Sequence, residues 1–565
     1  MTKPPRDPNT LSNYNSFRTI HTTTNFEIRF DQQRLVGKVI HQLKSLTDAQ
    51  AKEIVLDSSF LDIDSVIVDG RPAKWQLLAR CEPYGSALKI GLDNGVPLDQ
   101  TIEVHDTPDV KATFDFNISS PLPVIASGVS LKRDESSGQV YRFEQRVPIP
   151  SYLFAIASGD IAQAPIGPRS KVAVSPDKLE ECKWELEADT ERFLQAIGKI
   201  AFPYVWGEYN VLILPPSFPY GGMENPVYTF ATPSIISKDR QNIDVIAHEI
   251  SHSWSGNLVT NCSWEHFWLN EGWTTYLERR IQAAIHGEPH RHFSAIIGWK
   301  QLIDAVERYG NEHEFTKLVI DLKGKDPDDA FSPVPYEKGF VFIFYLENLV
   351  GKEKFDKFIP HYFQKFSRKS LDSYEFKSCV MEYFASDTEA QALLKGVDWD
   401  SWFYQPGLPP KPTFDTSLVD VVYELVNRWK SLAELPFSPK TSDLDGLVAG
   451  QIVVFLEQVL LFDKPLSPEQ SRLMGQIYNF SASQNIEVLN LYLQVGLKAG
   501  DDAVVEPTTK LLGEIGRMKF VRPLFRALEK FNRQIALKTF EKYSNFYHPI
   551  CRGLLEKDLF GKKNA

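Results

Sequence analysis

Cysteine is scarce in this 565-residue chain, and what there is forms no pattern. Cys81, Cys182, Cys262, Cys379 and Cys551 are scattered, odd in number and without a CxxC pair. That excludes a disulfide framework and reads as buried thiols in a reducing compartment. Long apolar runs are missing too. The densest stretches, 340–346 and 452–462, are short or broken by Glu457, so no membrane insertion is expected. Residues 1–16 are polar and proline-bearing, without the apolar core of a signal peptide, and the terminal Lys-Lys-Asn-Ala is not a peroxisomal address. Positive charge is in deficit: 62 Lys and Arg stand against 73 Asp and Glu, a net charge of −11. Nothing favours nucleic acid or an anionic membrane as a partner. A cytoplasmic protein is expected, with the nucleus open to it.

Hydrophobic residues at 43% and charged residues at 24% suit a globular chain too long for one core. About 150 residues per domain suggests three or four domains. Strand signals fill residues 1–160. Phe26, Ile28 and Phe30 alternate with polar neighbours, as do Val110, Ala112, Phe114, Phe116 and Ile118. Asp69-Gly70, between 66–68 and 75–77, reads as a hairpin turn. An antiparallel β domain is expected. From 161 to 404 helical patterns cover 179–200, 244–256 and 268–286, with a short strand at 210–214. Residues 405–412 carry four prolines, and 405–415 reads as an extended linker. Beyond it, 416–565 shows helical periodicity at 421–432, 451–462 and 486–498, suited to a layered helical domain.

The decisive stretch is His248-Glu249-Ile250-Ser251-His252. On a helix, positions i and i+4 share a face, so both imidazoles reach one ion. Zinc takes nitrogen ligands at about 2.0–2.1 Å, and a catalytic site keeps one position open. Glu249 projects about 100° away around the helix, beside that open position and off the metal. There it can take a proton from water and pass it to a leaving amine. Eighteen residues after His252, Asn270-Glu271-Gly272 opens a second helix able to supply a third ligand. One zinc ion per chain, on His248, His252 and Glu271, is expected. Glu278, two turns beyond Glu271, is either an acceptor for a ligand histidine or a solvated helix charge. His266, His286, His290, His292 and His313 have no ligand-like spacing and read as surface or packing residues.

Gly221-Gly222-Met223-Glu224-Asn225-Pro226, then HExxH, then a glutamate after an eighteen-residue gap, resembles the gluzincin zinc aminopeptidases. Among these the chain is most similar to the leukotriene A4 hydrolase type, which combines aminopeptidase and epoxide hydrolase activities. Residues 215–220, 248–260, 334–340, 406–410 and 516–520 carry the likeness, which covers most of the chain. It implies a multidomain α+β fold: an N-terminal β-saddle, a thermolysin-like zinc catalytic domain and a C-terminal α-helical layered domain. It also implies roles. Glu224 would bind the free α-amino group of a short peptide, a task that suits a carboxylate in a partly desolvated pocket. Gly221 and Gly222, within the motif that includes Met223 and Asn225, would let the substrate backbone approach closely. Tyr336 would donate to the oxyanion. Arg517 and Lys519 would hold the substrate carboxylate, and Asp328 would position water for opening a lipid epoxide. Read without the resemblance, Arg517 and Lys519 suit a solvated basic face and Asp328 a turn. A monomer is expected.

Two features depart from the family pattern. Phe331 stands five residues before Tyr336, where vertebrate hydrolases carry a second tyrosine, and phenyl cannot donate a hydrogen bond. Ile102-Glu103-Val104 runs straight into His105-Asp106-Thr107-Pro108, whereas the family has roughly forty further residues there, with a pocket-lining glutamine. Two functions are therefore in view: a zinc aminopeptidase with epoxide hydrolase activity, and a zinc-bearing peptide-binding protein disabled by the missing segment. Glu224 disfavours an endopeptidase, because it opposes a continuing peptide chain.

Overall fold

The computed structural model describes residues 6–46, 51–96, 101–102, 110–131, 139–431 and 438–561. The short junction at Val104–His105 lies outside the described residues.

A six-stranded sheet forms the N-terminal domain. Its strands are β1 (Phe17–Arg29), β2 (Arg34–Ser45), β3 (Thr101–Ile102), β4 (Ala112–Ser119), β5 (Val129–Ser130) and β6 (Val140–Ile149), in the order β5-β6-β4-β1-β2-β3. Along β4 buried and half-buried side chains alternate throughout, as period-two patterning requires. Phe114, Phe116, Ile118 and Phe143 form a core that reaches Trp206 and Leu258 of the next domain. The sheet is mixed, which corrects the antiparallel expectation: β1 and β4 run parallel, with His21 opposite Thr113. Parallel neighbours need a long crossover. Part of that crossover folds as a separate sheet of Ala51–Ser58, Trp75–Leu77 and Ser86–Val96. Alternation reports which face is buried and carries no information on strand direction.

Asp69-Gly70 makes the expected tight turn, with φ of 47° and 76°, the left-handed pair a type I′ hairpin needs. Its return strand is Arg71–Pro72; Trp75–Leu77 pairs with Ser86–Val96 instead. Phe30 falls just past the end of β1 and is exposed. On the outer side of β2, β3 pairs with Leu43 and Lys44, while Leu35, Val36 and Val39 are 49%, 37% and 37% exposed.

The second domain carries a five-stranded sheet of β7 (Ala162–Gly167), β8 (Ser170–Val174), β9 (Asn210–Ile213), β10 (Gly222–Met223) and β11 (Tyr228–Ala231), ordered β7-β8-β9-β11-β10. The short β10 is an edge strand. Helices α1 (Asp244–His252), α2 (Trp268–His286), α3 (Glu288–Tyr309) and α4 (Val334–Val350) follow. Ile246 and Ile250 of α1 and Trp273 and Leu277 of α2 share one core with Val172 and Val211 of the sheet. The helix expected over 179–200 is two, Leu179–Leu186 and Thr190–Ile200, with the Thr190 hydroxyl donating to the Leu186 carbonyl at the break. α1 stops at His252, short of the expected end, and the chain reverses at Gly256 with φ of 100°.

Residues 405–416 have no regular structure. The helices that follow, from Ser417–Lys430 to Pro549–Phe560, enclose a core of their own around Trp429, Phe455, Leu493, Leu512 and Phe525. Among them α5 (Met518–Phe531) returns to the catalytic domain, where the Met518 amide donates to the Pro219 carbonyl at 2.9 Å. No helix among the described residues is long and apolar enough to cross a membrane. The cysteines are free thiols, four of them buried; Cys81 is exposed, against the expectation.

Candidate metal centre and substrate cleft

α1 and α2 bring three donor atoms into a triangle. His248 Nε2 and His252 Nε2 are 3.2 Å apart, and Glu271 Oε2 lies 3.4 Å and 3.6 Å from them. A tetrahedral ion with ligands at about 2.0–2.1 Å needs ligand separations of about 3.3–3.4 Å. The tautomers agree. His248 Nδ1 donates to Glu278 Oε2 at 2.9 Å, and His252 Nδ1 donates to the Ser255 carbonyl at 3.0 Å. With both protons on Nδ1, both Nε2 lone pairs point into the triangle. Glu271 Oε2 is buried and has no hydrogen-bond partner among the described residues. Two lone pairs and a carboxylate oxygen facing one another require a cation, and zinc fits. Glu278 is thereby an acceptor for a ligand histidine, half of the choice the sequence left open. A second group, Glu224, Glu249 and His252, is also tight enough to hold an ion. There His252 approaches Glu224 through Nδ1, at 3.9 Å, the nitrogen whose proton is committed to Ser255, so the first set fits better.

Glu249 is buried, and its Oε2 has no partner among the described residues. Burial, with the neighbouring carboxylates of Glu224 and Glu271, pushes its carboxyl well above the usual range. Gly222 makes room for it: a Cβ there would lie 2.2 Å from Glu249 Oε1. Gly221 does the same for Arg517, whose Nη2 would be 2.7 Å from a Cβ. Glu224 follows β10 and is buried, its carbonyl accepting from Asn257 Nδ2 at 2.7 Å. The other two residues of the motif face away. Asn225 Nδ2 donates to the Leu153 carbonyl at 3.1 Å, and Met223 packs on the N-terminal core. Both brace the loop against the neighbouring domain.

Tyr336 sits in the first turn of α4 with its ring stacked on His248, centroids 5.9 Å apart. Burial, then the Glu271, Glu224 and Glu249 carboxylates, hold its phenol protonated far above the usual range, which keeps it a donor. Phe331 stands edge-on to Tyr336 and to Tyr220, 6.1 Å from each. Arg517 Nη1 donates to Ser234 Oγ at 3.3 Å. Lys519 is half exposed, and its Nζ donates to Glu487 at 2.6 Å. The structure thus brings Arg517 to the Gly221–Glu249 cluster, and Glu487, 3.9 Å from Arg517 Nη1, ties Lys519 beside it through the same carboxylate oxygen. Asp328 lies in a single exposed turn, Pro327–Ala330, close enough to raise the Tyr220 phenol after burial has done so. His266 is a packing residue, bonded to Ser373 Oγ at 2.9 Å and lowered to about 4 by burial. Tyr152, from the N-terminal domain, was not legible in the sequence. Its buried hydroxyl has no partner among the described residues and senses the charges of Glu224 and Glu271.

The metal geometry depends on a close helix crossing. A Cβ on Gly272, next to Glu271, would lie 2.7 Å from Gly339 Cα of α4. Gly339→Val is expected to cost about 3 kcal/mol through overpacking and to move Glu271. Thermal unfolding and zinc content measure both, and a fully zinc-loaded variant with an unchanged Tm would show the contact to be dispensable.

Comparison with known proteins agrees. Residues 184–402 match the peptidase family M1 domain, 99–153 the peptidase M1 N-terminal domain, and 447–559 the leukotriene A4 hydrolase C-terminal domain. The chain is 74% identical to leucine aminopeptidase 2 of Coccidioides immitis, covering 100% of this chain and 99% of that one. It is 65% identical to leucine aminopeptidase 2 of Ajellomyces capsulatus, covering 100% and 98%. Yeast LTA4 hydrolase in complex with bestatin superposes with a TM-score of 0.94 at 42% identity, covering 99% and 98%. Fold and site together define a zinc metallopeptidase, a zinc-dependent aminopeptidase by class. The chain belongs to peptidase family M1, among the members that carry the leukotriene A4 hydrolase C-terminal domain.

Proposed function

We propose that this aminopeptidase removes apolar first residues, leucine among them, from short peptides with a free α-amine, acting in the cytoplasm. Glu224 carries the reading. It is a buried carboxylate beside the metal triangle, and no Lys or Arg pairs with it among the described residues. It is therefore available to a substrate ammonium. Zinc on His248, His252 and Glu271 supplies, when bound, Lewis acidity toward water and carbonyl. Gly222, on an edge strand, offers its outer side to an extended peptide, and Gly221 beside it is held by the Thr232 amide, which donates to its carbonyl at 3.0 Å. Glu249 takes the proton of the attacking water and delivers it to the leaving amine. Tyr336 donates to the oxyanion, and Arg517 receives the carboxylate of a short peptide, with Lys519 as a more distant charge. Glu224→Ala is expected to raise KM for leucine p-nitroanilide and lower kcat/KM by about 10²-fold, the scale of losing a charged anchor. N-acetylation of a peptide substrate should do the same to the unaltered protein. Equal rates on free and acetylated peptides would remove the amine-anchor role.

Epoxide hydrolysis is the second activity of the same pocket, favoured by the likeness to yeast LTA4 hydrolase and by the charge of Asp328, which is felt at the Tyr220 phenol. Asp328→Asn is expected to abolish conversion of a lipid epoxide to its diol and to leave peptide hydrolysis within twofold. Product analysis by chromatography decides it; unchanged diol formation rules Asp328 out.

A further inference from the structure

We propose that Lys111 is a positioning residue for amine recognition, its side-chain nitrogen setting the loop through which Asn257 holds the backbone of Glu224. The proposal rests on Glu224 being the amine anchor.

Lys111 lies immediately before β4 and is 4% exposed. Its Nζ donates to the carbonyls of Asn257 and Leu258, at 3.0 Å and 2.8 Å. No ion pair to it is found among the described residues, and burial pushes its pKa well down. A lysine nitrogen buried in the interior with carbonyls as its partners is costly, and a methionine would fill the same space without that cost. The loop it grips sits between the two halves of the site. The Asn257 amide donates to the carbonyl of His252 at 3.1 Å, and Asn257 Nδ2 donates to the carbonyl of Glu224 at 2.7 Å. One residue thus joins the end of the metal-binding helix, the backbone of the anchor and, through Lys111, the N-terminal sheet. Leu258 also packs in the β4 core, but apolar contact is non-directional. The two hydrogen bonds from Lys111 fix where along the sheet the loop stands. Neither Lys111 nor Asn257 reaches the triangle of donor atoms, so the effect falls on substrate position and leaves the metal in place.

The test uses the full chain with zinc, and leucine p-nitroanilide as substrate. Lys111→Met is expected to raise KM about tenfold, the scale of a sub-ångström misplacement, with kcat within about threefold and zinc content unchanged. Asn257→Leu, which removes the bond to Glu224 alone, is expected to give the same KM shift. The double variant should be no worse than either single one, since both act through one link. A role in stability alone would lower Tm and the active fraction at constant KM, and that result overturns the proposal. If Lys111→Met does not fold, Asn257→Leu decides, and an unchanged KM there overturns it equally. Glu224→Ala runs in parallel. If that variant keeps its KM, the amine-anchor reading has failed; if it loses KM while Lys111→Met and Asn257→Leu do not, only the positioning role has.

Discussion

Replacing Glu249 with glutamine is expected to leave one zinc ion per chain and to lower kcat for peptides by about 10²–10⁴-fold, the range for removing a general base. Glutamine keeps the shape that Gly222 accommodates, 2.2 Å from where a Cβ would stand, but it cannot accept a proton from water. The experiment also separates the two donor sets in the cleft. If His248, His252 and Glu271 hold the metal, Glu249→Gln is zinc-replete and inactive. If Glu224, Glu249 and His252 do, amide for carboxylate costs a ligand, and zinc is lost with the activity. Metal analysis beside single-turnover hydrolysis gives the answer. Retained activity in a zinc-loaded variant would remove Glu249 from the reaction.

The second large effect concerns the N-terminal domain. The alignment with the Coccidioides immitis relative runs over 611 positions, 46 more than the 565 of this chain. The family pattern puts the deficit before Asp106, and β2 is exposed on its outer side, where Leu35, Val36 and Val39 have little cover among the described residues. An uncovered edge carrying apolar side chains invites association. The chain as it stands is expected to bind zinc in full, because every donor atom lies between 248 and 271. It is also expected to turn over peptides slowly and to self-associate at micromolar concentration. Inserting a family-like segment of roughly forty residues before Asp106 should raise kcat/KM by about 10²-fold, the cost of an ångström of substrate misplacement, and give a monomer by light scattering. The zinc content should not change. A monomeric, fully active protein without the insertion would refute this expectation and with it the reading of an impaired peptide-binding protein.

The two helices of the metal centre were legible in the sequence because helical periodicity converts spacing into direction. Four residues from His248 to His252 are one turn, and α2 begins and ends where its pattern does, at Trp268 and His286. The same holds for the alternation of β4 and for the break at the proline-rich linker, where local sterics act alone. What local pattern cannot encode is which elements become neighbours. The parallel pairing of β1 with β4, the return strand of the Asp69-Gly70 turn and the division of 179–200 into two helices depend on residues far along the chain. So does the fate of each polar side chain. Glu278 became a partner of His248, Lys519 went to Glu487, and Asn225 and Met223 turned to the N-terminal domain. Tyr152 and Lys111 belong to that domain, and Tyr152 reaches the cleft and Lys111 the loop after α1 only because its sheet packs there. Ligand spacing is a short-range property of one helix, whereas the wall of a cleft is made where domains meet, and burial and hydrogen bonding there are settled by contacts that no single stretch of sequence contains.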